Sequence, residues 1–441
     1  MTRAWNIEPT GPLRGDVTVR GSKNAVTKHM VAAMLGRGES RIGNTPHVGD
    51  VEITASMLRS IGCAVTREGD TLLVEPSTIL ESAVPQTFTG RNRIPVLMIG
   101  PLLNLTGEAF VPLVGGDRIG ARPLDFHINA LTAMGAQITV DADGLHAVAR
   151  RLRGTRVALP YPSVGATESV MLTAVLAEGR TVITNAAVEP EVLELALFLQ
   201  RMGAGIHFQP DRRIVIDGVE RLHAAKTTLA GDRLEAFSYL VAGLLSGGKV
   251  RVHGCSQDRL VTAIETLRKM GAVFEIDDSS ISASAPGGLR SAAVQTDTHP
   301  GFATDWQTPL LVLMSQARGL SVLHETVFEN RLVYVDALKQ FGCEIELFAT
   351  CLGGNACRFH DTSYLHSAVV HGPAKLVGAQ VHVPDVRAGY SSVIAAAIAD
   401  GPSVLLDVDA LERGYDKPLD RLQSIGMAIT QSEAEPGSIE P

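Results

Sequence analysis

Basic residues recur in this sequence just where a polar or glycine-bearing turn gives way to an apolar, helix-like stretch. Lys23 and Asn24 open one such stretch. Gly115, Gly116, Asp117, Arg118, Gly120 and Arg122 open another, Asp305 opens a third, and Arg387 opens a fourth inside DVRAGYS. Arg93 lies in RNRIPVL, Glu329 and Arg331 in FENRLV, and Arg413 in ERGYDKP. A helix start presents free N–H groups and a partial positive charge, so it holds anions. Arginine adds a planar fork that clamps a phosphate or carboxylate through two hydrogen bonds. Lysine at a helix start is unfavourable for the helix itself, which leaves two readings of Lys23: a solvated side chain, or a ligand for phosphate or carboxylate. The glycines around Asp117 suit either a plain surface turn or a mobile loop that folds over a ligand. Asp305 stands where an N-cap aspartate is common. None of these residues decides the matter alone; their recurrence at equivalent points of a repeated unit is the stronger signal.

The elements that must position these residues are themselves repeated. Six apolar stretches begin at GSKNAVTKHMVAAML, GGDRIGARPLDFHINAL, YPSVGATESVMLTAVL, GDRLEAFSYLVAGLL, FATDWQTPLLVLMSQ and DVRAGYSSVIAAAIA. Most units close on a hydrophobic–Gly–small triplet; the closing glycines are Gly62, Gly135, Gly203, Gly271, Gly342 and Gly426. These glycines fall roughly 70 residues apart, with one longer final interval, which marks a copied supersecondary unit. Strand-like runs such as Val157-Ala158-Leu159 precede most units. Further strands and a second helix follow, as in Thr181-Val182-Ile183-Thr184 and Pro190-Glu191-Val192-Leu193. The order β-α-β-α-β-β predicts an α/β fold of two similar domains with three units each. Helices such as Met30-Val31-Ala32-Ala33-Met34-Leu35 are apolar nearly all round and are expected inside their domains, with the sheets outside, the reverse of a TIM barrel. Their N-termini are expected to point one way, toward the gap between the domains, as an anion trap. Leu347 to Leu376 lengthens the last interval and reads as a surface insertion.

Bulk composition narrows the classes. The chain has 441 residues, 45% hydrophobic and 20% charged, with a formal net charge of −8. That is globular composition at a length that suits two domains. The absence of a basic run argues against nucleic acid or an anionic membrane surface as partner. No signal peptide is visible, and Pro95 to Leu105 and Ser391 to Ala399 are too short to span a bilayer. Five scattered cysteines suit free thiols in a reducing cytoplasm better than a disulfide framework. Cys351 and Cys357, with His360, His366 and His371, invite a metal reading, but their spacing matches no compact zinc pattern. The expectation is therefore a loop around Gly353-Gly354-Asn355 and no metal. Ser432 to Pro441 reads as a disordered tail.

In combination, GSKNA, GPL, GGDRIGARPLD, PSVGATE, EPEV, GDR, TDWQ, ETVFENR, DVRAGYS and RGY resemble the enolpyruvyl transferase family over roughly Gly11 to Ile429. The match is strongest to members that act on UDP-N-acetylglucosamine. The resemblance implies two inside-out α/β barrel domains, 1–22 plus 231–441 and 23–230, with the active site in the cleft between them. It implies transfer of the enolpyruvyl group of phosphoenolpyruvate to a sugar 3′-hydroxyl of UDP-N-acetylglucosamine, with loss of phosphate and without metal or organic cofactor. Lys23, Arg93, Arg122, Arg387 and Arg413 match the residues around phosphoenolpyruvate, and Arg331 lies with them. Asn24, Asp305 and Val327 match amino-sugar positions. Arg122, Pro123, Leu124, Asp125 and Phe126, with Ser163, Val164 and Gly165, match the uridine and diphosphate cradle. Asp305 is the implied base for the hydroxyl. Asp117 is the implied proton donor, or the group that helps to expel phosphate, with Lys23 and Arg413 completing the catalytic set.

One departure stands out: most members of the family carry Cys where this chain has Asp117. Aspartate still exchanges protons, but it is a far poorer nucleophile than a thiolate, so fosfomycin is not expected to alkylate this position. Three alternatives stay open. One is the same chemistry on UMP or a related uridine nucleotide in nucleoside-antibiotic synthesis. Another is a shikimate acceptor, against which GSKNA and the uridine-type cradle argue. The third is a non-catalytic nucleotide-binding regulator, against which the retained charges argue.

Overall fold

A computed structural model describes residues 2–434 apart from Ile79, Arg118, Ala356 and Pro384. The chain divides into two compact units. One holds the stretch up to Val19, the short segment Asp117–Arg122, and everything from Gly231 onward; the other holds Arg20–Gly116 and Pro123–Ala230.

Each unit is built from one module used three times. Arg156–Ala158 pairs parallel with Arg180–Thr184 across the helix Val164–Ala174. The helix Pro190–Arg201 follows, and the antiparallel strands Gly205–Gln209 and Arg213–Asp217 complete the sheet. In the other unit Ala293–Gln295, Gly319–His324, Ser367–Gly372 and Glu344–Phe348 stand in the same order. Among the described residues the strands pair in separate sheets and close no barrel.

Three strands reach their module from afar. Lys226–Thr228 pairs parallel with Ser40–Gly43, and Arg14–Thr18 with Lys249–His253. Thr2–Ile7 lies antiparallel between Ser403–Leu406 and Ile429–Ala434, so the start of the chain completes its last module. Ser432, Glu433 and Ala434 therefore belong to a strand rather than to the expected disordered tail; the rest of that tail lies outside the described residues. The expected insertion also shrinks, because Glu344–Phe348 and Ser367–Gly372 are paired strands; only residues 349–366 leave the sheet.

The first helix of each module is the buried one. Val386–Ile398 is buried from Val386 to Ala397, and Arg233–Leu245 from Arg233 to Leu244. Apolar residues on all sides leave such helices nowhere to go but the interior. The second helices are amphipathic; in Val261–Lys269 only Ala263, Ile264 and Leu267 are buried. The repeated closing glycines have one cause. Gly62, Gly135, Gly203, Gly271, Gly342 and Gly426 all take φ between 90° and 106°, as the left-handed residue that ends a helix. The following residue turns back onto the helix, as in Ala136 N to Leu131 O at 3.0 Å and Ala272 N to Leu267 O at 2.9 Å.

Close packing of the inner helices sets two constraints. A Cβ on Gly100, in the helix Ile94–Thr106, would lie 1.8 Å from Thr173 Oγ1. Gly100→Ala should therefore lower stability by about 1–3 kcal/mol through overpacking. Thr173→Ala should restore part of it, and an unchanged urea midpoint for Gly100→Ala alone would refute the contact. Glu168 is fully buried, and neither carboxylate oxygen has a hydrogen-bond partner among the described residues. Burial raises its pKa from 4.5 to about 7, against the pull of Lys28. Because the folded value is the higher one, the native state keeps a proton that the unfolded chain has lost. This group's contribution is intact below about pH 4.5 and falls by on the order of 3 kcal/mol as pH rises through 7. Glu168→Gln removes the loss, so the variant should gain stability over the parent between pH 5 and pH 8. A pH-independent difference in unfolding midpoint would contradict this.

Candidate active site

In the unit that ends the chain, the starts of three inner helices are tied together by charge. Asp232 caps Arg233–Leu245, with Oδ1 accepting from Leu234 N at 2.8 Å and Glu235 N at 3.2 Å. Asp385 caps Val386–Ile398 in the same way, through Arg387 N at 2.8 Å and Ala388 N at 2.9 Å. Asp305 lies in the single 3-10 turn Thr304–Trp306 that leads into Gln307–Gln316. The second carboxylate oxygen of each cap then meets an arginine. Arg331 bridges Asp385 at 3.2 Å and Asp305 at 3.3 Å, and Arg387 bridges Asp305 at 3.7 Å and Asp232 at 3.5 Å. The result is an alternating chain, Asp385–Arg331–Asp305–Arg387–Asp232.

Only Asp305 in this chain is appreciably exposed, at 25%, against 1% for Arg331 and 6% for Arg387. Burial works against both guanidinium charges. Around Arg331 the carboxylates of Asp385 and Asp305 outweigh it, and around Arg387 those of Asp232 and Asp305 do so with Tyr415, so both pKa values end above the ordinary arginine range. Arg387 also lies 5.1 Å above the Tyr415 ring, which stacks on Tyr390. Arg413 is two residues before Tyr415, half-buried at the end of the helix Asp409–Glu412.

Glu325 shapes the next segment. Its Oε1 accepts from Val327 N at 2.6 Å and Phe328 N at 2.9 Å, and its Oε2 accepts from Thr304 Oγ1 at 3.0 Å. Val327 is thus fixed relative to the turn that carries Asp305. The glycine-rich loop packs on the same segment. Asn330 N donates to Ile119 O at 3.1 Å, and a Cβ on Gly120 would meet the Glu329 carboxylate at 2.1 Å. Arg122 takes φ +45°, donates to Asp117 O at 3.3 Å and sits 5.7 Å from the Phe328 ring. Burial lowers the Arg122 pKa, with Asp117 and Asp305 pulling the other way. Asp117 itself is half-buried; Arg118 lies outside the described residues.

The second unit gathers the remaining residues. Lys23 begins the helix Lys23–Ala33, and its Nζ lies 2.9 Å from Asp50 Oδ2, which offsets a cation at a helix start. Asn24 follows it, half-buried. Arg93 precedes Ile94–Thr106 and adds its charge to the burial that holds the His127 ring down at about 3, so that ring is neutral. His127 belongs to Asp125–Ala133, which Pro123 and Leu124 lead into and which also carries Phe126. Ser163 caps Val164–Ala174 by accepting from Ala166 N at 3.3 Å. Gly165 packs on His127, where a Cβ would be 3.2 Å from Cε1.

The residues singled out from sequence therefore fall into two sets. Lys23, Asn24, Arg93, Pro123, Leu124, Asp125, Phe126, Ser163, Val164 and Gly165 belong to one unit, and Asp117, Arg122, Asp305, Val327, Arg387 and Arg413 to the other. Sequence reasoning passed over Asp50, His127, Asp232, Glu325 and Asp385. For Asp232 and Asp385 a signal existed: each directly precedes an arginine-bearing helix start. Among the described residues, the one group of donors close enough to share a metal ion lies outside both sets, at His324, Cys351, Cys357 and His366. No helix among them is long and apolar enough to cross a membrane.

Comparison with known proteins agrees with this architecture. Residues 7–422 match the family model of EPSP synthase (3-phosphoshikimate 1-carboxyvinyltransferase). The UDP-N-acetylglucosamine 1-carboxyvinyltransferase of Protochlamydia amoebophila is 42% identical over 433 residues, covering 96% of this chain and 93% of its own. That of Chlamydia pneumoniae is 44% identical over 425 residues, covering 95% and 93%. That of Synechocystis is 37% identical over 431 residues, covering 97% and 95%. The fold is that of the enolpyruvyl transferase NikO from Streptomyces tendae, with a TM-score of 0.87 at 22% identity over 98% of this chain and all of the other. EPSP synthase from Acinetobacter baumannii follows at 0.77 and 18% over the same shares. With a family model spanning nearly its whole length and relatives above 40% identity, the chain belongs to the EPSP synthase (3-phosphoshikimate 1-carboxyvinyltransferase) family.

Proposed function

We propose that this protein transfers the enolpyruvyl group of phosphoenolpyruvate to the 3′-hydroxyl of UDP-N-acetylglucosamine and releases inorganic phosphate, a step of peptidoglycan precursor synthesis. The observation that carries the reading is Asp305, a partly exposed carboxylate held between the buried Arg331 and Arg387. The relatives that match over nearly the whole chain bear the corresponding name. We read each unit as an inside-out barrel whose inner-helix starts supply the anion sites.

In the proposed reaction Asp305 takes the proton of the acceptor hydroxyl as its oxygen bonds to C2 of phosphoenolpyruvate. Asp117 gives a proton to the C3 methylene, which becomes a methyl group. The resulting tetrahedral adduct then returns a methyl proton to the Asp117 carboxylate, the C2=C3 double bond re-forms, and the C2–O bond breaks to release phosphate. Lys23, Arg93, Arg122, Arg387 and Arg413 neutralise the carboxylate and the departing phosphate. Asn24 and Val327 hold the amino sugar. Pro123, Leu124, Asp125 and Phe126, with Ser163, Val164 and Gly165, hold the uridine diphosphate. The reaction requires no further cofactor.

Phosphate release from phosphoenolpyruvate should require UDP-N-acetylglucosamine and should not occur with UMP; the opposite pattern would move the protein to nucleoside tailoring. Lys23→Ala should lower kcat/KM by on the order of 10²–10³ while nucleotide binding survives. A variant that keeps full turnover would remove Lys23 from the mechanism. Fosfomycin at millimolar concentration should leave the parent active after dilution, whereas Asp117→Cys should be inactivated irreversibly. Time-dependent inactivation of the parent would show that the reactive group is not at position 117.

A further inference from the structure

The loop of residues 349–366 leaves the sheet beside Gly319–His324 and folds back over it. It has little apolar material to hold it: Leu352, Tyr364 and Leu365 are all exposed, and Phe359 is its buried aromatic. Segments of this kind need a staple other than a hydrophobic core. Four soft donors meet at its base. One ligand atom each from His324, Cys351, Cys357 and His366 lies within 4.8 Å of all the others. A zinc ion with ordinary bond lengths sets its tetrahedral ligands about 3.3–3.8 Å apart, and Cys351 Sγ already lies 3.3 Å from His366 Nε2.

The surrounding hydrogen bonds choose the tautomers. Ser367 Oγ gives its single proton to Thr350 O at 2.8 Å. It can therefore only accept from its other two neighbours, Leu352 N at 3.2 Å and His324 Nδ1 at 2.8 Å. His324 thus carries its proton on Nδ1, and its Nε2 lone pair is buried with no hydrogen-bond partner among the described residues. His366 Nδ1 faces the Tyr364 carbonyl at 2.7 Å, so it too must hold the proton and leave Nε2 bare toward Cys351. A backbone N–H, that of Phe359, points at Cys357 Sγ from 3.3 Å. Carbonyl or hydroxyl oxygens behind both imidazoles and an amide on a sulfur are the outer partners that metal ligands have. Gly353 lets the loop lie this close, since a Cβ there would be 2.3 Å from the His324 ring.

We propose that His324 Nε2, Cys351 Sγ, Cys357 Sγ and His366 Nε2 bind one structural zinc ion that pins the loop to the sheet. Two thiolates and two neutral imidazoles at tetrahedral spacing select zinc over hard cations. All four positions are filled by protein, so the ion has no open position for chemistry. His360 and His371, which stand near these cysteines in sequence, do not belong to the site. They face Asp361 at 2.7 Å and Glu346 at 3.2 Å on the surface. The residue after Cys357 gives the site a reach: Arg358 donates to Val327 O at 2.7 Å, beside the candidate active-site segment.

The test is metal content of the full-length protein, purified without chelator, with released zinc measured after thiol modification. About one zinc per chain is expected, falling severalfold in Cys351→Ser and in His324→Ala and unchanged in His360→Ala. Cobalt added to the metal-free protein should give the intense visible bands of a tetrahedral site and a thiolate charge-transfer band, both lost in Cys351→Ser. Should the variants fail to fold, the cobalt spectrum of the parent and the lowered Tm after chelation carry the test alone. Failure of the parent to bind either zinc or cobalt with its thiols reduced would overturn the proposal. So would zinc that stays stoichiometric in folded Cys351→Ser.

Discussion

The arrangement that everything near Asp305 depends on is the alternation of carboxylates and guanidiniums across three helix starts. Buried charges are costly unless each is matched, and removal of one member of such a set typically costs about 3–5 kcal/mol. Here the match is made twice over. Asp232 and Asp385 each spend one oxygen on the free N–H groups of a helix start and the other on an arginine. Both arginines also approach Asp305, which links the two caps. The capping of two buried helices and the placing of one partly exposed carboxylate are thus a single electrostatic problem with a single solution. A change at Asp385 would be felt at Asp305 through Arg331, although the two aspartates belong to different modules.

This explains why the site was legible in part. Apolarity all round marked the inner helices, and the repeat marked where they begin, because burial and chain reversal leave strong local traces in composition. Arg387 and Asp305 were visible as charges at those starts. Asp232 and Asp385 were not assigned roles, because an aspartate before a helix is explained well enough by capping alone. Only their second oxygens, turned toward arginines distant in sequence, reveal the other half of their work. Glu325 and His127 left no signal at all. One acts by accepting backbone N–H groups two and three residues ahead, the other by packing on Gly165, and neither relation has a residue-type signature.

Strand exchange was hidden for a similar reason. Thr2–Ile7 and Arg14–Thr18 are short and could pair with many partners; their places are decided by which module lacks a strand. The donor cluster at Cys351 shows the limit most clearly. Spacing in sequence offered His360 and His371, which the fold turns outward. The missing donor, His324, ends a strand that precedes the loop by a whole helix and strand, and only the antiparallel pairing of Gly319–His324 with Ser367–Gly372 brings it beside His366. Zinc patterns read from spacing look for two close pairs of ligands at a short, fixed separation. A ligand set divided between a loop and a sheet escapes them.

The segment from Glu325 to Arg331 is where these separate devices meet. Glu325 holds the N–H groups of Val327 and Phe328, Arg358 holds the carbonyl of Val327, and Ile119 of the glycine-rich loop accepts from Asn330. Backbone groups on both sides of Val327 are therefore fixed by side chains, while the far end of the segment delivers Arg331 into the ion-pair chain. Preorganisation of this kind matters most for a reaction whose catalysis rests on fixed charges rather than on a bound cofactor, because donors that are already in place need no reorganisation as charge develops. In the glycine-rich loop Gly116 and Gly120 take φ +123° and +146°, backbone values that glycine adopts without a Cβ clash. The segment on which that loop packs is thus held at one end by Glu325 and Arg358 and at the other by the ion pairs of Arg331.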